Sequence, residues 1–344
     1  MAVRDAAELD ELRLLIVVDN ETDMLSSVGA GLPQVAAGAY LAPHVPVVRE
    51  DEGRPCKVIF DRLCYAGHGL SVLATARRGG EERTVLFDTG PFADLWLGNA
   101  VKLGVDLAAI ETVFLSHWHF DHSGALPDVV AAIAAARRRA GRPAPVVDLH
   151  PDRPDQRGSL GPTGTFLLLP PEPRLEAIAA AGGRIVTHGE PHEVAGGLFL
   201  GSGAIERLTG YEQGLAGHHT LRGDRLEPDP LLMDERFLAA RVRGRGVTVL
   251  SACSHAGVVN ACLGADALLG GPIDLVLGGY HLSGQAMEAR IEETLKDLAG
   301  RIRPRMLAPG HCTGWRAKAA LARAFAPDRY APSVVGSMYA LTGA

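Results

Sequence analysis

Between residues 116 and 124 the chain runs Ser-His-Trp-His-Phe-Asp-His-Ser-Gly, and no other stretch limits its fold so strongly. Four metal-competent side chains, His117, His119, Asp121 and His122, follow the apolar run Thr112–Leu115 and precede a helix expected from Gly124 to Ala140. Side chains of extended backbone alternate with a period of two, so His117, His119 and Asp121 project to one side. His122 turns at the helix start and faces a second position nearby. A short loop at a sheet edge can thus offer two ligands to each of two cations. Imidazoles with one carboxylate suit Zn²⁺ best, and Fe²⁺ or Mn²⁺ accept the same donors. Trp118 and Phe120, alternating with the ligands, are placed to pack the loop against a core.

Composition narrows the classes that remain. At 344 residues, 47% hydrophobic and 22% charged, the chain is globular in type, which excludes disordered and fibrous proteins. The richest apolar stretch, Leu14–Val18, is one strand long, far short of the roughly 18–20 residues that cross a bilayer. The amino terminus, MAVRDAAELDELR, is acidic where a secretory leader is basic and then apolar, so no targeting segment is read and a cytoplasmic location is expected. A net charge of −6 without a Lys/Arg block argues against nucleic-acid binding. Five cysteines at irregular spacing, with no CxxC, imply reduced thiols, not a disulfide framework.

Along the chain, strands are expected at Leu12–Val18, Leu70–Ala76, Thr84–Phe87, Glu111–Leu115, Pro145–Leu149, Arg184–Thr187 and Gly197–Leu200. Later strands are expected at Arg236–Arg243, Gly246–Leu250, Ile273–Leu277 and Arg305–Leu307. Helices are expected at 92–103, 124–140, 174–181, 256–269, 285–299 and 315–325. Residues 22–56 are broken by Gly and Pro and read as irregular, and 209–230 reads as a polar loop. The alternation falls into two loosely similar halves, as expected of two sheets packed face to face with helices outside. No linker separates domains, so 1–344 is read as one unit, with 22–66 as a lid or a dimer contact.

The run His117–His122 matches the HxHxDH signature of the metallo-β-lactamase superfamily, and Asp88-Thr89-Gly90 after Val85–Phe87 matches that family's strand-end Asp-Thr-Gly. The chain resembles this superfamily over most of its length. The resemblance implies a four-layer αββα sandwich, a metal centre at one sheet edge, and Asp88 as a residue that orients the metal-binding loop. It also implies His311, after strand Arg305–Leu307, as the last ligand of the site shared by Asp121 and His122. Five further segments look like the branch named after dihydropterin-6-ylmethyl-aminobenzene-ribofuranosyl-phosphate synthase. They are Asp19-Asn20-Glu21-Thr22-Asp23, Gly67-His68-Gly69-Leu70-Ser71, Ser251-Ala252-Cys253-Ser254-His255, Gly278-Gly279-Tyr280-His281-Leu282 and Pro309-Gly310-His311-Cys312-Thr313-Gly314. The branch's Thr-Gly-Glu-Ile-Pro-Arg is altered here to Gly203-Ala204-Ile205-Glu206-Arg207.

The superfamily's third His for the first metal has no counterpart in its usual Pro-Gly-His context between 150 and 250, so His255, at a strand end, is the candidate. Cys253, where the superfamily often has a bridging Asp, is either a ligand or a buried structural thiol. His281 is a ligand or a catalytic contact to substrate, and His68 and His150 are assigned to pocket positions around the ligands. His188 and His192 read as solvated loop residues, and His218-His219 as lid or surface.

Three functions are compatible with these residues. The first is hydrolysis of an ester, phosphoester or amide-like bond, with Asp121 passing a proton to the leaving group. The second, implied by the narrower resemblance, is transfer of a pterinylmethyl group to an arylamine, with Arg207, Asp19 and Asn20 contacting substrate. The third is a metal-binding sensor without turnover. Each calls for two divalent metals; the two enzymatic readings add a small, anionic substrate. A homodimer is compatible with all three.

Overall fold

A computed structural model describes residues 7–161 and 163–344; residues 1–6, which begin the segment read for targeting, lie outside it. Period-two alternation is visible in the strand Glu11–Val18. Its Leu12, Leu14 and Ile16 enter one core and Val17 another. The neighbouring strand Ser71–Arg78 sends Val72, Ala74 and Ala76 into that first core. Both strands belong to an eight-stranded sheet ordered Arg184–Thr187, Val146–Leu149, Ile110–Phe114, Glu81–Phe87, Ser71–Arg78, Glu11–Val18, Met338–Thr342, Gln34–Val35. A second sheet, ordered His192–Val194, Phe199–Gly201, Leu238–Val242, Gly246–Ser251, Ile273–Gly279, Met306–Gly310, faces it, with Glu8–Leu9 beside Leu238–Val242.

Leu238, Ala240, Leu250, Leu275 and Leu277 of the second sheet meet Leu14, Val72 and Phe87 of the first in the layer between them. Helices cover the outer faces. Leu126–Arg139 presents Leu126, Val129, Val130 and Ile133, the i, i+3, i+4, i+7 stripe, to the first sheet. Trp315–Phe325 presents Ala317, Leu321 and Phe325 to the second. This is the expected αββα sandwich. Each fully buried Leu or Val contributes about 1.5–3 kcal/mol to holding the layers together.

Parallel pairing sets the position of the site. Glu81–Phe87, Ile110–Phe114 and Val146–Leu149 run parallel in one sheet, and Gly246–Ser251, Ile273–Gly279 and Met306–Gly310 in the other. Chemistry-bearing residues follow the carboxyl ends of these strands, where open α/β sheets commonly place ligand sites.

Three expectations are corrected, and one strand is added. Residues 22–56 are not irregular: they hold the helix Ala37–Leu41 and the hairpin Val47–Asp51/Arg54–Lys57, turned at Glu52-Gly53 with φ of 48° and 73°. Residues 209–230 hold the hairpin His218–Arg222/Arg225–Pro228, which joins Gln156–Leu160 and Phe166–Leu168 in a separate four-stranded sheet. The helix expected at 285–299 divides into Gln285–Glu288 and Ile291–Asp297. Met338–Thr342, not anticipated, closes against Glu11–Val18.

The helix Val258–Leu269 starts on a buried carboxylate, for Glu212 accepts the N–H groups of Val259 and Asn260. Burial pushes the Glu212 carboxyl up to about 7 despite these bonds. The unfolded chain therefore loses this proton first, and ionised Glu212 destabilises the fold as pH rises from about 4.5 to 7. Glu212→Gln is expected to gain on wild type across that window by at most about 3 kcal/mol, then hold a constant difference above it. Urea midpoints of both proteins at pH 5, 6, 7 and 8 check this; a pH-independent difference overturns it.

Candidate metal centre

Past strand Ile110–Phe114 the chain bends at His117-Trp118, where the His119 N–H meets the His117 carbonyl (3.1 Å), and then enters the short helix Phe120–Ser123, so Asp121 does not share the expected period-two alternation with His117 and His119. Asp88, at φ 58°, closes the adjacent strand and receives this loop. Its carboxylate accepts the Ser116 N–H (2.7 Å), the Ser116 hydroxyl (2.7 Å) and His122 Nδ1–H (2.8 Å). Ser254, His281 and His311 also hold positive φ, of 58°, 44° and 43°, at the ends of the three parallel strands opposite. Such strain concentrates where the surrounding fold fixes a functional group. Close backbone approach adds to it. A Cβ on Gly278 would lie 1.9 Å from the Ser251 carbonyl, and one on Gly69 2.4 Å from that of Asp121.

Hydrogen bonds fix which imidazole nitrogens keep a lone pair. The Asp229 carbonyl can only accept, so His218 Nδ1 carries a proton there (2.9 Å). His218 Nε2 then accepts from His119 Nε2–H at 2.9 Å, which leaves His119 Nδ1 bare. The Ser116 hydroxyl spends its hydrogen on Asp88 and accepts from His117 Nδ1–H (2.9 Å), leaving His117 Nε2 bare. His119 Nδ1 lies 3.0 Å from His117 Nε2 and 3.1 Å from His255 Nε2. His117 Nε2 and His119 Nδ1, two acceptors facing one another this closely, repel unless a cation lies between them; His255 Nδ1 has no partner, so no hydrogen bond on that side holds the proton away from Nε2. A tetrahedral Zn²⁺ places its nitrogens roughly 3.3 Å apart. Burial, reinforced by neighbouring imidazoles, lowers the pKa of His117, His119 and His255 well below the usual range, so all three present neutral donors.

A second convergence lies beside the first. Asp121 Oδ2 is 3.2 Å from His311 Nε2 and 3.5 Å from His122 Nε2. Asn20 Oδ1 accepts His311 Nδ1–H (2.9 Å), as Asp88 accepts from His122, so both Nε2 atoms point inward. Burial opposes charge on His122, but Asp121 and Asp88 outweigh it and raise its pKa well above the usual value. The proton held there marks a place where positive charge is stabilised. Cys253 Sγ, 3.2 Å from both His122 Nε2 and His311 Nε2, also falls within 4.8 Å of the His117 and His255 donors. It therefore sits between the two clusters, and the donor set fits a pair of divalent cations.

The other assigned residues divide. Asp19 is fully buried, accepts the His311 N–H (2.8 Å) and the Ser333 hydroxyl (2.6 Å), and so fixes His311 without lining the pocket. Asn20 likewise orients His311, and donates to His68 Nδ1 (3.0 Å); His68 lines the pocket with Nε2 3.6 Å from Asp121. Arg207, expected at substrate, is turned away, with its guanidinium donating to the carbonyls of Ile205 and Leu231. No residue of 22–66 lines the pocket; the four-stranded sheet contributes Gly158, Ser159, Leu167 and His218 to its wall. His150 stands behind the loop, its carbonyl accepting the Trp118 indole N–H (3.1 Å). His188 and His192 are not solvated singly: both clasp Asp148 Oδ2, at 3.1 and 2.8 Å, beside Arg236.

Sequence reasoning missed four residues that hold the loops. Asp234 accepts the Trp118 N–H (2.8 Å), and Glu235 accepts the N–H groups of His255 (2.8 Å) and Ala256 (2.6 Å). Arg236 donates to the Leu115 carbonyl (2.6 Å), and His218 sets the His119 tautomer. The signal for the first three was a run of charges, Asp234-Glu235-Arg236, enclosed by Leu231-Leu232-Met233 and Phe237-Leu238, because buried charges must be paired. His218→Ala is expected to weaken cation binding at the His117/His119/His255 cluster by about 10–100-fold. His218→Gln, whose amide oxygen can accept from His119, should restore most of it. Competition with a zinc-sensitive dye reads both, and equal affinities in all three proteins would remove His218 from this role.

The family model of the metallo-beta-lactamase superfamily matches residues 65–332. A curated relative from Methanocaldococcus jannaschii, 7,8-dihydropterin-6-methyl-4-(beta-D-ribofuranosyl)-aminobenzene-5'-phosphate synthase, is 29% identical over 269 residues, 77% of this chain and 87% of that one. A lactamase-like protein from Penicillium aethiopicum is 28% identical over 135 residues, 38% of this chain and 37% of its own. Among solved structures, a metal-dependent hydrolase of the beta-lactamase superfamily shares the fold with a TM-score of 0.67 at 22% identity, over 96% of this chain and 99% of that one. The matched span covers most of the chain, which therefore belongs to the metallo-beta-lactamase superfamily.

Proposed function

We propose that this protein is a two-metal hydrolase acting on an ester, phosphoester or amide-like bond. The observation that carries the reading is the inward convergence of imidazole nitrogens from His117, His119 and His255, bare on His117 and His119, beside Asp121, His122 and His311. Zinc suits these donors best. The chemistry that a pair of such ions supplies is polarisation of the scissile bond and water whose pKa is lowered to roughly 7.

The chain's own residues do the rest. Asp88 and Asn20 hold His122 and His311 by Nδ1, and Ser116 and His218 hold His117 and His119. His281 lines the pocket 4.3 Å, ring to ring, from His255, and its Nδ1 has no partner. It is placed to hand a proton to the departing group, with Asp121 as the second candidate for that step. Hydrolysis is preferred to transfer because Arg207, the cation that a second anionic substrate would need, is committed to backbone carbonyls outside the pocket. The relative's name favours transfer, and the test separates the two.

Zinc-loaded protein is incubated with aryl esters and phosphodiesters in ¹⁸O-water, and separately with a pterinylmethyl diphosphate and 4-aminobenzoate. Label in the ester-derived acid supports hydrolysis; coupled product overturns it in favour of transfer. Two bound metals with neither product would leave a sensor. On the hydrolytic substrate, His281→Ala is expected to lower kcat about 10²–10³-fold with unchanged metal content.

A further inference from the structure

The pocket above the donor cluster has a volume of about 400 Å³. His119, Asp121, Cys253, His255 and His311 line it, and among its described lining residues there is no Lys or Arg. Besides the polar His68, Ser159, His218 and His281, the remaining wall is dominated by the apolar Phe92, Phe120, Leu167, Leu169 and Leu215. Arg157, which lies nearest in sequence to this wall, is 1% exposed and bound to Asp234 at 2.7 Å, so it offers no charge to the cavity.

These apolar side chains are unusually open to solvent. Leu167 is 65% exposed, Phe92 58% and Leu169 36%. Two independent parts of the chain supply them: the loop after Asp-Thr-Gly, where Phe92 meets Phe120 edge to face at 5.9 Å, and the strand Phe166–Leu168 of the separate sheet. That strand is held close by Gly158, whose Cβ would lie 2.7 Å from the Leu167 carbonyl. Exposed Leu and Phe on two walls of one metal-floored pocket have apolar area still to be buried, and a ligand of matching character would bury it.

We propose that the substrate has a single anionic or carbonyl head, directed to the metal floor, and an uncharged hydrocarbon or aryl body clasped between Phe92 and Leu167. The assignment rests on the hydrolase reading and specifies its substrate class. A second charged group at the far end, such as a phosphate, would lie against Phe92, Leu167, Leu169 and Leu215 with no cation to pair it. Arylalkyl or acyl esters and amides fit; compounds carrying a phosphorylated tail do not.

The probe is a phosphonate series titrated by calorimetry into the zinc-loaded protein. 4-Phenylbutylphosphonate is expected to bind at least 30-fold tighter than methylphosphonate. Placing a phosphate at the far end of the phenyl ring should cost at least tenfold. Leu167→Ser and Phe92→Ser, at positions exposed enough to fold normally, should each weaken phenylbutylphosphonate about tenfold without loss of metal. Equal binding of the methyl and phenylbutyl compounds, or equal or tighter binding of the phosphorylated one, overturns the proposal. Failure of the hydrolase reading looks different: the series still ranks as stated while the ¹⁸O experiment gives no labelled product.

Discussion

Asp121→Ala is expected to lower hydrolytic kcat/KM at least 10³-fold and to reduce bound metal from two equivalents to one. Asp121 is the carboxylate of its cluster, with Oδ2 3.2 Å from His311, 3.5 Å from His122 and 3.6 Å from His68. Burial opposes its ionisation, but His122 and His311 hold the carboxyl well below the usual range, so it presents a charged oxygen. Without it, two imidazoles and a thiol remain at that position, and Cys253 is itself buried and hard to ionise in the absence of a cation. The neighbouring cluster of His117, His119 and His255 keeps its three nitrogens, which is why one equivalent should survive. Asp121→Asn keeps the shape and loses the charge, so it should behave like the alanine variant in metal content. Elemental analysis after gel filtration and ester turnover check both; two retained equivalents with turnover within tenfold of wild type would remove Asp121 from the centre. Chelation of wild-type protein followed by Zn²⁺ should abolish and restore activity, whereas the variant should not recover.

What could be read in the sequence follows the range of the interactions involved. His117, His119, Asp121 and His122 are neighbours in the chain, so spacing alone places them together. Asp88, His255, His281 and His311 each follow an apolar strand, and parallel strands bring their carboxyl ends to one edge. The sandwich was legible for the same reason: long runs such as Glu11–Val18 and Ile273–Gly279 are apolar enough to be buried on both faces. The four-stranded sheet beside the site was not. Gln156–Leu160, Phe166–Leu168 and His218–Arg222 are short, and the pairing of the first with the last joins segments about sixty residues apart, a long-range contact that local propensity does not encode. His218 read as lid or surface, and its part in setting the His119 tautomer stayed hidden because it depends on Asp229 and His119, neither adjacent in the chain. Arg207 erred in the opposite sense: a motif position suggested substrate, while the backbone carbonyls around it claim the guanidinium.

The run Asp234-Glu235-Arg236 carries the second large effect, this time on stability. Asp234 is fully buried; one carboxylate oxygen accepts Arg157 Nη2 at 2.7 Å and the other the Trp118 N–H at 2.8 Å. Burial alone would raise its pKa, but Arg157 dominates and brings it down to about 2, so the pair is ionic at neutral pH. Arg157 has little else: Asp229 stands 3.5 Å away, and its Nε and Nη1 have no partner. Asp234→Ala therefore leaves a guanidinium buried and nearly unpaired, and takes the acceptor from the Trp118 N–H inside the metal loop. The expected loss is about 3–5 kcal/mol in chemical denaturation, accompanied by weaker metal binding. The cost lies mostly in the orphaned charge and not in the bond itself, so adding Arg157→Met to Asp234→Ala should return part of the stability. Metal affinity should not return with it, because the Trp118 N–H still lacks its acceptor. A single variant that loses less than about 1 kcal/mol, or a double variant additive in both, would show that the buried pair neither stabilises the fold nor fixes the loop.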